Sequence, residues 1–268
     1  MVRNNIEIRS LTTIEELKQM QAIESLVWKM DPIPLHHTYT TMKNGGIILG
    51  AFDAHKMIGF LYSFPGFKKR KIHLCSHMLG ILPEYRMSGV GEAMKLYQAE
   101  LAKEQGYPMI TWTFDPLESR NAYLNIHKLE AVGAVYQANY YGSMDDELNK
   151  GLPSDRIQIE WHVNHQKKRP DYAFDATKLL LDINEAQQPI LTEVGQALDE
   201  ISEDLLFIAI PKEFQTIKQN DFELAKAWRS KTSILFEKLF ELGFIATDLM
   251  TNQHELISYY VFTKSMEE

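Results

Sequence analysis

The residues best suited to chemistry lie in one stretch of the chain, where Arg86, Gly89 and Gly91 form the pattern R-x-x-G-x-G. An apolar run over residues 74–82 precedes this pattern and predicts a buried strand, and the periodicity of residues 89–105 predicts a helix. The first N–H groups of a helix have no internal partner and carry partial positive charge. Glycines let such a backbone approach an anion closely, and an arginine adds a forked cation. The stretch therefore predicts a site for a pyrophosphate, the alternative being an ordinary strand-to-helix turn.

The spacing of these residues excludes two familiar phosphate-binding motifs. It lacks the G-x-G-x-x-G of dinucleotide-binding folds, and no Gly-Lys-Ser/Thr follows, as a P-loop requires. Residues 79–91 instead resemble the coenzyme A turn of the GNAT acyltransferase superfamily, and the order of elements over residues 5–163 fits as well. The resemblance implies acetyl-CoA or another acyl-CoA as co-substrate. It implies that the coenzyme contacts Leu79, Gly80, Ile81, Arg86, Met87, Ser88, Gly89, Val90, Gly91, Asn121 and Asn125.

Acyl transfer from a thioester to an amine needs a base for the ammonium proton and an acid for the leaving thiolate. In the GNAT superfamily the base often lies on the central strand, a few residues before the turn, and His77 occupies that place here. Its ordinary pKa suits proton transfer near neutral pH; a histidine hydrogen-bonded in the core is the alternative. Asp115 and Glu118 follow the next predicted strand and are the alternative bases.

The acid is less clear from the sequence. Many GNAT proteins carry a tyrosine in the helix that corresponds to residues 120–131, but alignment of Lys128 and Leu129 on their pattern puts Ile126 in the tyrosine place. Tyr123, Tyr140 and Tyr141 are then candidate acids, aromatic residues of the core being the alternative. The departure also keeps open a second function, a protein that binds CoA with little turnover and acts through its C-terminal part.

The acceptor is expected to be a primary amine on a small molecule, and four residues are candidates to contact it: His37, Tyr39, Arg120 and Arg229. The region of His37 and Tyr39 forms a wall of the acceptor pocket in the GNAT superfamily, although surface histidines are the plainer interpretation. Arg229 lies among apolar residues of a predicted helix and could bind an acceptor carboxylate through both arms of its fork. Residues 170–268 would then cover the acceptor pocket.

Three further segments, residues 76–80, 116–122 and 151–156, resemble a two-part bacterial GNAT subfamily. The predicted long helix with residues 227–229 and the Gly243-Phe244 that follows it also resemble the C-terminal half of this subfamily, so the resemblance extends over nearly the whole chain. It implies N-acylation of amino acids, with acetyl-CoA or with another CoA thioester such as succinyl-CoA.

Composition sets limits on partners and compartment. A net charge of −8 argues against nucleic-acid binding. The single cysteine, Cys75, excludes an internal disulfide and fits a reducing compartment. The nine histidines form no metal-binding pattern. No apolar run reaches membrane-spanning length, so we expect a cytoplasmic protein without a membrane or metal partner. A homodimer remains open.

The pattern of elements predicts an α/β fold: a GNAT-type mixed, strongly twisted central sheet flanked by helices, with a smaller C-terminal α/β domain. We place the acyl-CoA-binding domain at residues 1–166 and the C-terminal domain at 170–268, with a polar linker at 164–169. Three helix starts are predicted from capping residues, namely Thr13 with Glu16, Ser119, and Asn220 with Glu223.

Overall fold

The computed structural model describes residues 6–68, 70–142, 151–164, 170–198, 203–252 and 254–265. The chain divides into two compact units. The first unit comprises Met1–Trp112 and Trp161–Gln166, and the second comprises Thr113–Glu160 and Lys167–Glu268. This division differs from the predicted boundary near residue 166, because residues 113–160 group with the C-terminal part of the chain. The predicted linker lies outside the described residues except for Asn164.

Among its described residues, the first unit combines strands of a mixed sheet with three α-helices. Its elements are β1 (Ile6–Ser10), α1 (Ile14–Trp28), α2 (Leu35–Lys43), β2 (Ile48–Asp53), β3 (Lys56–Lys68), β4 (Lys71–Ile81), a 3₁₀ turn (Pro83–Tyr85), α3 (Val90–Glu104) and the start of β5 (Met109–Phe114). The strands follow the order β1-β2-β3-β4-β5. Neighbouring strands are antiparallel except β4 and β5, which are parallel. Strand β4, helix α3 and strand β5 thus form a strand–helix–strand unit with parallel strands.

Helix α1 begins as its sequence predicts and supplies much of the core. The Thr13 side chain accepts from the Glu16 N–H while the Glu16 carboxylate accepts from the Thr13 N–H, which completes a capping box. Leu17 and Met20 are fully buried in a cluster with Phe60. This packing fixes α1 against the sheet.

Helices α1 and α3 cover opposite faces of the first unit's sheet. Successive side chains along a strand point to opposite faces, so Tyr62 and Ser63 of β3 face different ways. Tyr62 belongs to the core cluster of α1. Ser76, which lies opposite Ser63 in the ladder between β3 and β4, accepts a hydrogen bond from Lys95 of α3.

The second unit also combines parallel and antiparallel strands with helices. Its elements are the end of β5, α4 (Ser119–Ala122), a π-helix (Tyr123–Lys128), β6 (Val132–Gln137), most of β7 (Arg156–His162), a 3₁₀ turn (Ala176–Lys178), β8 (Leu179–Ile183), β9 (Pro189–Leu191), α5 (Glu193–Gln196), β10 (Leu205–Pro211), α6 (Phe214–Asn220), α7 (Phe222–Glu241), β11 (Phe244–Thr251) and β12 (Ile257–Lys264). The strand order is β7-β6-β11-β12-β10-β8-β9. Strands β8 and β10 are parallel, and the other neighbours are antiparallel.

Aromatic packing explains why residues 113–160 belong to the second unit. The Phe236 ring of α7 lies 5.6 Å from the Tyr136 ring of β6, 5.3 Å from the Tyr260 ring and 5.6 Å from the Phe262 ring of β12. A helix from the C-terminal part of the chain therefore packs on strands from both parts.

Two predicted helix starts are wrong. Ser119 does not cap a helix, because its hydroxyl donates to Ser258 Oγ at 2.9 Å; helix α4 has Glu118 at its N-cap and continues as a π-helix. Asn220 ends α6. The cap of α7 is Asp221, whose carboxylate accepts from the Leu224 N–H at 2.9 Å.

No described helix combines the length and apolar character needed to cross a lipid bilayer.

Candidate functional site

Strand β4 contains a bulge at His77. In the ladder with β3, Tyr62 lies opposite Met78 and Ser63 lies opposite Ser76, so His77 is an extra residue without an opposite partner. A bulge turns side chains away from the regular alternation and is common beside functional sites. Here it places the His77 ring on the face of Tyr62.

Strands β4 and β5 are paired over a short distance only. Their parallel ladder joins Leu74 with Ile110 and Cys75 with Thr111. Strand β4 continues to Ile81, and within the described residues this later part of β4 forms a ladder only with β3. The β5 side of β4 therefore offers backbone groups to a ligand just after Cys75, next to the bulge.

The turn after β4 is held by its own hydrogen bonds. The Ser88 hydroxyl donates to the Tyr85 carbonyl at 2.5 Å, and the Arg86 Nε–H donates to the Ile81 carbonyl at 3.1 Å. The Tyr85 hydroxyl donates to the Asp53 carboxylate of β2 at 2.8 Å. The Arg86 side chain is exposed. The turn is therefore ordered by the chain itself and presents a cation to solvent.

The backbone of this turn is left-handed at two positions, Met87 with φ 60° and Gly89 with φ 83°. Gly89 is the N-cap of α3 and makes no side-chain hydrogen bond there, so no side chain at that position occupies the space in front of the helix. A Cβ at Gly91 would lie 3.3 Å from Ile81 Cδ1, closer than ordinary packing allows. Gly91 therefore allows close packing of the helix start on Ile81, and Gly89 leaves the first N–H groups of the helix accessible to an anion.

The other predicted coenzyme contacts of the first unit differ in what they can offer. Gly80 and Val90 are buried. A Cβ at Gly80 would lie 2.9 Å from the rings of Phe60 and Trp28, so packing by itself requires glycine there. Leu79 is half-buried, and the Met87 side chain is 85% exposed.

His77 combines solvent access with an aromatic surrounding. Its ring centroid lies 6.2 Å from that of Tyr62 and 5.8 Å from that of Phe64. The His77 side chain is exposed to solvent. The protein around it nevertheless displaces part of its water, and this desolvation lowers the pKa of His77 below its ordinary value of 6.5. The imidazole is therefore largely neutral at pH 7, the form that can accept a proton.

Helix α2 carries the first two candidate acceptor contacts. His37 and Tyr39 are exposed. The Thr41 and Tyr62 hydroxyls share a hydrogen bond of 3.0 Å, which ties α2 to the strand residue beside His77. The helix is thus fixed against the same face of the sheet as His77, and the acceptor roles of His37 and Tyr39 stay predictions.

In the second unit the predicted base Asp115 and the predicted acceptor contact Arg229 bind each other. Arg229 Nη2 donates to Asp115 Oδ2 at 2.5 Å, and Asp115 Oδ1 accepts from the Leu117 N–H at 2.9 Å. Both side chains are buried, Arg229 to 3% exposure and Asp115 to 7%. The Asp115 carboxylate is thus occupied by Arg229 and by the Leu117 backbone, and the Arg229 guanidinium points at that carboxylate. In the structure the two residues form a buried ion pair, and their predicted roles as base and acceptor contact stay predictions.

Two residues that the sequence analysis did not single out extend this pair into a network. Asp155 Oδ2 accepts from the Tyr136 hydroxyl at 2.6 Å and lies 3.8 Å from Arg229 Nη1. Burial is the main reason why the pKa of Tyr136 is raised far above its ordinary value, followed by the charge of Asp155. The only sequence signal was an acidic residue directly before an apolar strand, which does not identify a partner.

The remaining predicted residues of the second unit have separate environments. Glu118 accepts from Gln215 Nε2 at 2.6 Å, and desolvation raises its pKa. Arg120 pairs with Glu213 at 2.5 Å, both side chains being largely exposed. The Tyr141 hydroxyl lies 3.3 Å from Thr113 Oγ1 and is exposed. Glu118 as a base and Tyr141 as an acid stay predictions.

The last two predicted coenzyme contacts lie in α4 and in the π-helix that follows it. Asn121 is exposed in α4 and Asn125 is buried in the π-helix. Ile126, in the place where many GNAT proteins have tyrosine, is fully buried. A π-helix shifts the register of the side chains that follow it, which a sequence alignment does not show.

No family model matches the chain, and no curated protein matches it in sequence. Solved structures do match it. The ribosomal-protein-S18-alanine N-acetyltransferase from Escherichia coli is 16% identical with a TM-score of 0.49, covering 62% of this chain and 99% of its own. An N-acetyltransferase from Staphylococcus aureus Mu50 is 16% identical with a TM-score of 0.49, covering 60% and 99%. Arabidopsis thaliana Naa50 in complex with the bisubstrate analogue CoA-Ac-MVNAL is 13% identical with a TM-score of 0.46, covering 58% and 97%.

Proposed function

We propose that this chain is an N-acyltransferase that moves an acyl group from coenzyme A to a primary amine of a small molecule. One observation carries the proposal: β4 separates from β5 after Cys75, bulges at His77 and ends in the glycine turn that opens α3. Strand β4 and the turn after it thus supply backbone groups for the pantetheine arm, His77 as a proton acceptor and a site for the pyrophosphate.

The pyrophosphate of CoA fits the turn. The N–H groups at the start of α3 and the exposed Arg86 side chain supply donors and positive charge for it. The pantetheine arm contains two amide groups and is extended like a peptide, so it can bind along the β5 side of β4 between Ser76 and Ile81. Strand residues rise about 3.3 Å each, so the thioester would lie near the bulge.

His77 is the proposed proton acceptor. The amine nitrogen attacks the thioester carbonyl carbon, His77 takes a proton from the resulting ammonium, directly or through water, and the C–S bond breaks to release the CoA thiolate. The lowered pKa of His77 keeps the ring neutral at pH 7. The acyl group in this proposal is acetyl or another such as succinyl, and an amino acid is one candidate for the amine.

The burial of Ile126 favours a second candidate, a CoA-binding protein with little turnover. Without a tyrosine at that place the leaving thiolate must take its proton from elsewhere. Release of free CoA in the presence of a panel of amines and amino acids distinguishes the two. CoA binding without amine-dependent release would select the second candidate.

The coenzyme site is tested with a pair of glycine variants on the same helix. Gly89 and Gly106 flank α3 and have φ of 83° and 82°, so alanine introduces similar backbone strain at either end. Gly89→Ala adds a Cβ in front of the helix start, and we expect it to weaken acetyl-CoA binding about tenfold or more in isothermal titration. Gly106→Ala should leave binding unchanged. Equal affinities in both variants would place the coenzyme elsewhere.

A further inference from the structure

Lys95 of α3 is a buried cation that the proposed reaction does not yet use. The residue is 3% exposed. Its ammonium donates to Ser76 Oγ at 2.7 Å and to Gln98 Oε1 at 3.5 Å, and it lies 3.7 Å from the centre of the Trp112 ring. Among the described residues no carboxylate lies within 4 Å of it. Burial of a charge without a counter-charge costs folding free energy, so its presence needs an explanation.

The position of Lys95 supplies one. Ser76 directly follows Cys75, the last β4 residue paired with β5, and Trp112 directly follows Thr111, the last β5 residue paired with β4. The ammonium therefore bridges the two strands at the point where they separate. Gln98 Nε2 also donates to Ser76 Oγ at 3.1 Å, which fixes the serine from a second side. Lys95 lies on the α3 face, behind the strand that carries the His77 bulge.

We propose that Lys95 is a positioning residue of the acyl-transfer site, which holds Ser76 and Trp112 where β4 and β5 separate and stabilises the oxyanion of the tetrahedral intermediate by its charge. The proposal rests on the proposed function, since it needs the thioester near the bulge. When the amine attacks, the carbonyl electrons move onto oxygen, and a fixed positive charge in a dry site lowers the energy of that state. When the C–S bond breaks, the carbonyl re-forms and the negative charge of the oxyanion leaves with the CoA thiolate.

The charge of Lys95 depends on pH within the working range. Desolvation lowers its pKa from 10.5 to about 7, so the ammonium is present below about pH 7 and is lost above it. The groups that face it do not titrate in this range. Cys75 has a pKa raised by burial and stays a neutral thiol, whereas Gln98 of α3 and Thr111 and Trp112 of β5 have no titrating group. Turnover should therefore fall as pH rises through about 7, opposite in direction to the His77 limb.

Three full-length variants test the proposal. Lys95→Met keeps the length of the side chain and removes its charge, Lys95→Arg keeps a charge at all accessible pH values, and Lys103→Met removes an exposed lysine from the same helix. Acetyl-CoA affinity is measured by titration, and amine-dependent CoA release is measured from pH 5.5 to 9. We expect Lys95→Met to lower kcat about tenfold and to abolish the falling limb, with CoA affinity within twofold of wild type. Lys95→Arg should abolish that limb while retaining more activity, and Lys103→Met should behave as wild type.

The pH dependence of folding stability provides a second measurement, which reports on the buried charge of Lys95. A lysine with a pKa lowered by folding destabilises the folded state while it is protonated there, so wild type should gain stability relative to Lys95→Met between pH 7 and 10.5. Unchanged kcat and an unchanged falling limb in Lys95→Met, with CoA still bound, would overturn the positioning role alone. Absence of CoA binding by wild type would overturn the proposed function and this inference together.

Discussion

The carboxylate of Asp115 accepts two hydrogen bonds in the second unit, one from the Arg229 guanidinium and one from the backbone of Leu117. Asp115→Asn keeps the shape of the side chain and removes the negative charge beside a buried arginine. We expect a loss of about 3–5 kcal/mol in the free energy of unfolding, because breaking this buried pair leaves Arg229 with only the more distant Asp155, at 3.8 Å, as a counter-charge. Urea denaturation at pH 7 measures it.

The control for that variant is the exposed ion pair of the same unit. Glu213→Gln breaks the Arg120–Glu213 contact, whose side chains are 63% and 58% exposed. Water already screens such a pair, so its loss should cost no more than about 1 kcal/mol. Equal losses in the two variants would mean that the Asp115–Arg229 pair contributes little to stability.

His77 gives a prediction of the opposite pH direction to Lys95. A base must be neutral to accept a proton, and the pKa of His77 is lowered from 6.5 by desolvation. Amine-dependent CoA release should therefore rise with pH below about 6.5 and level off above it. His77→Gln should lose this rising limb and keep its CoA affinity. A limb that persists in His77→Gln would transfer the base role to Glu118.

Single residues were predictable from the sequence where their chemistry depends on near neighbours. Arg86, Gly89 and His77 lie within one strand and its turn, so the local pattern located them. Asp115 and Arg229 are separated by 114 residues, and no local pattern joins residues so far apart. The sequence does not show that Asp115 and Arg229 neutralise each other. Each was therefore predicted to take part in substrate chemistry.

At the scale of elements, the long strands and helices followed from periodicity and capping, whereas short ones did not. Residues 189–191 and 193–196 form β9 and α5, which are too short for a recurring apolar pattern to show. The β4 bulge is also invisible in the sequence, since it arises from the pairing of β3 with β4. It nevertheless lets two successive residues, His77 and Met78, lie on the face of Tyr62.

The start of α7 gives an element-scale test with a neighbour as control. Asp221 is the N-cap and accepts from the Leu224 N–H at 2.9 Å, while Asn220 is the last residue of α6. Asp221→Ala should lower the free energy of unfolding by about 1 kcal/mol, the typical cost of a lost cap. Asn220→Ala should change it by a few tenths at most, because alanine suits a helix end without a capping role. A larger loss of stability in Asn220→Ala than in Asp221→Ala would support Asn220 as the N-cap, as the sequence predicts.

At the scale of the whole chain, the two compact units are not two consecutive segments. Strand β6 pairs with β11, and the Tyr136 hydroxyl of β6 hydrogen-bonds to Ser233 of α7 at 2.9 Å. A polar linker near residue 166 suggested a boundary there, but contacts of this kind form only in the folded chain and leave no mark on composition.

This division predicts the behaviour of a truncated protein. A chain that ends at Lys167 contains residues 113–160 but lacks α7 and β11, so Asp115 loses Arg229 and Tyr136 loses its ring contact with Phe236 at 5.6 Å. Apolar surface and buried charges would then face water or remain unpaired. We expect the fragment to bind a hydrophobic dye and to lack a cooperative thermal transition. Co-expression of residues 168–268 should restore that transition by supplying α7 and β11 in a second chain. A fragment that unfolds cooperatively at the wild-type temperature without this partner would show that residues 113–160 depend on the N-terminal part of the chain for their stability.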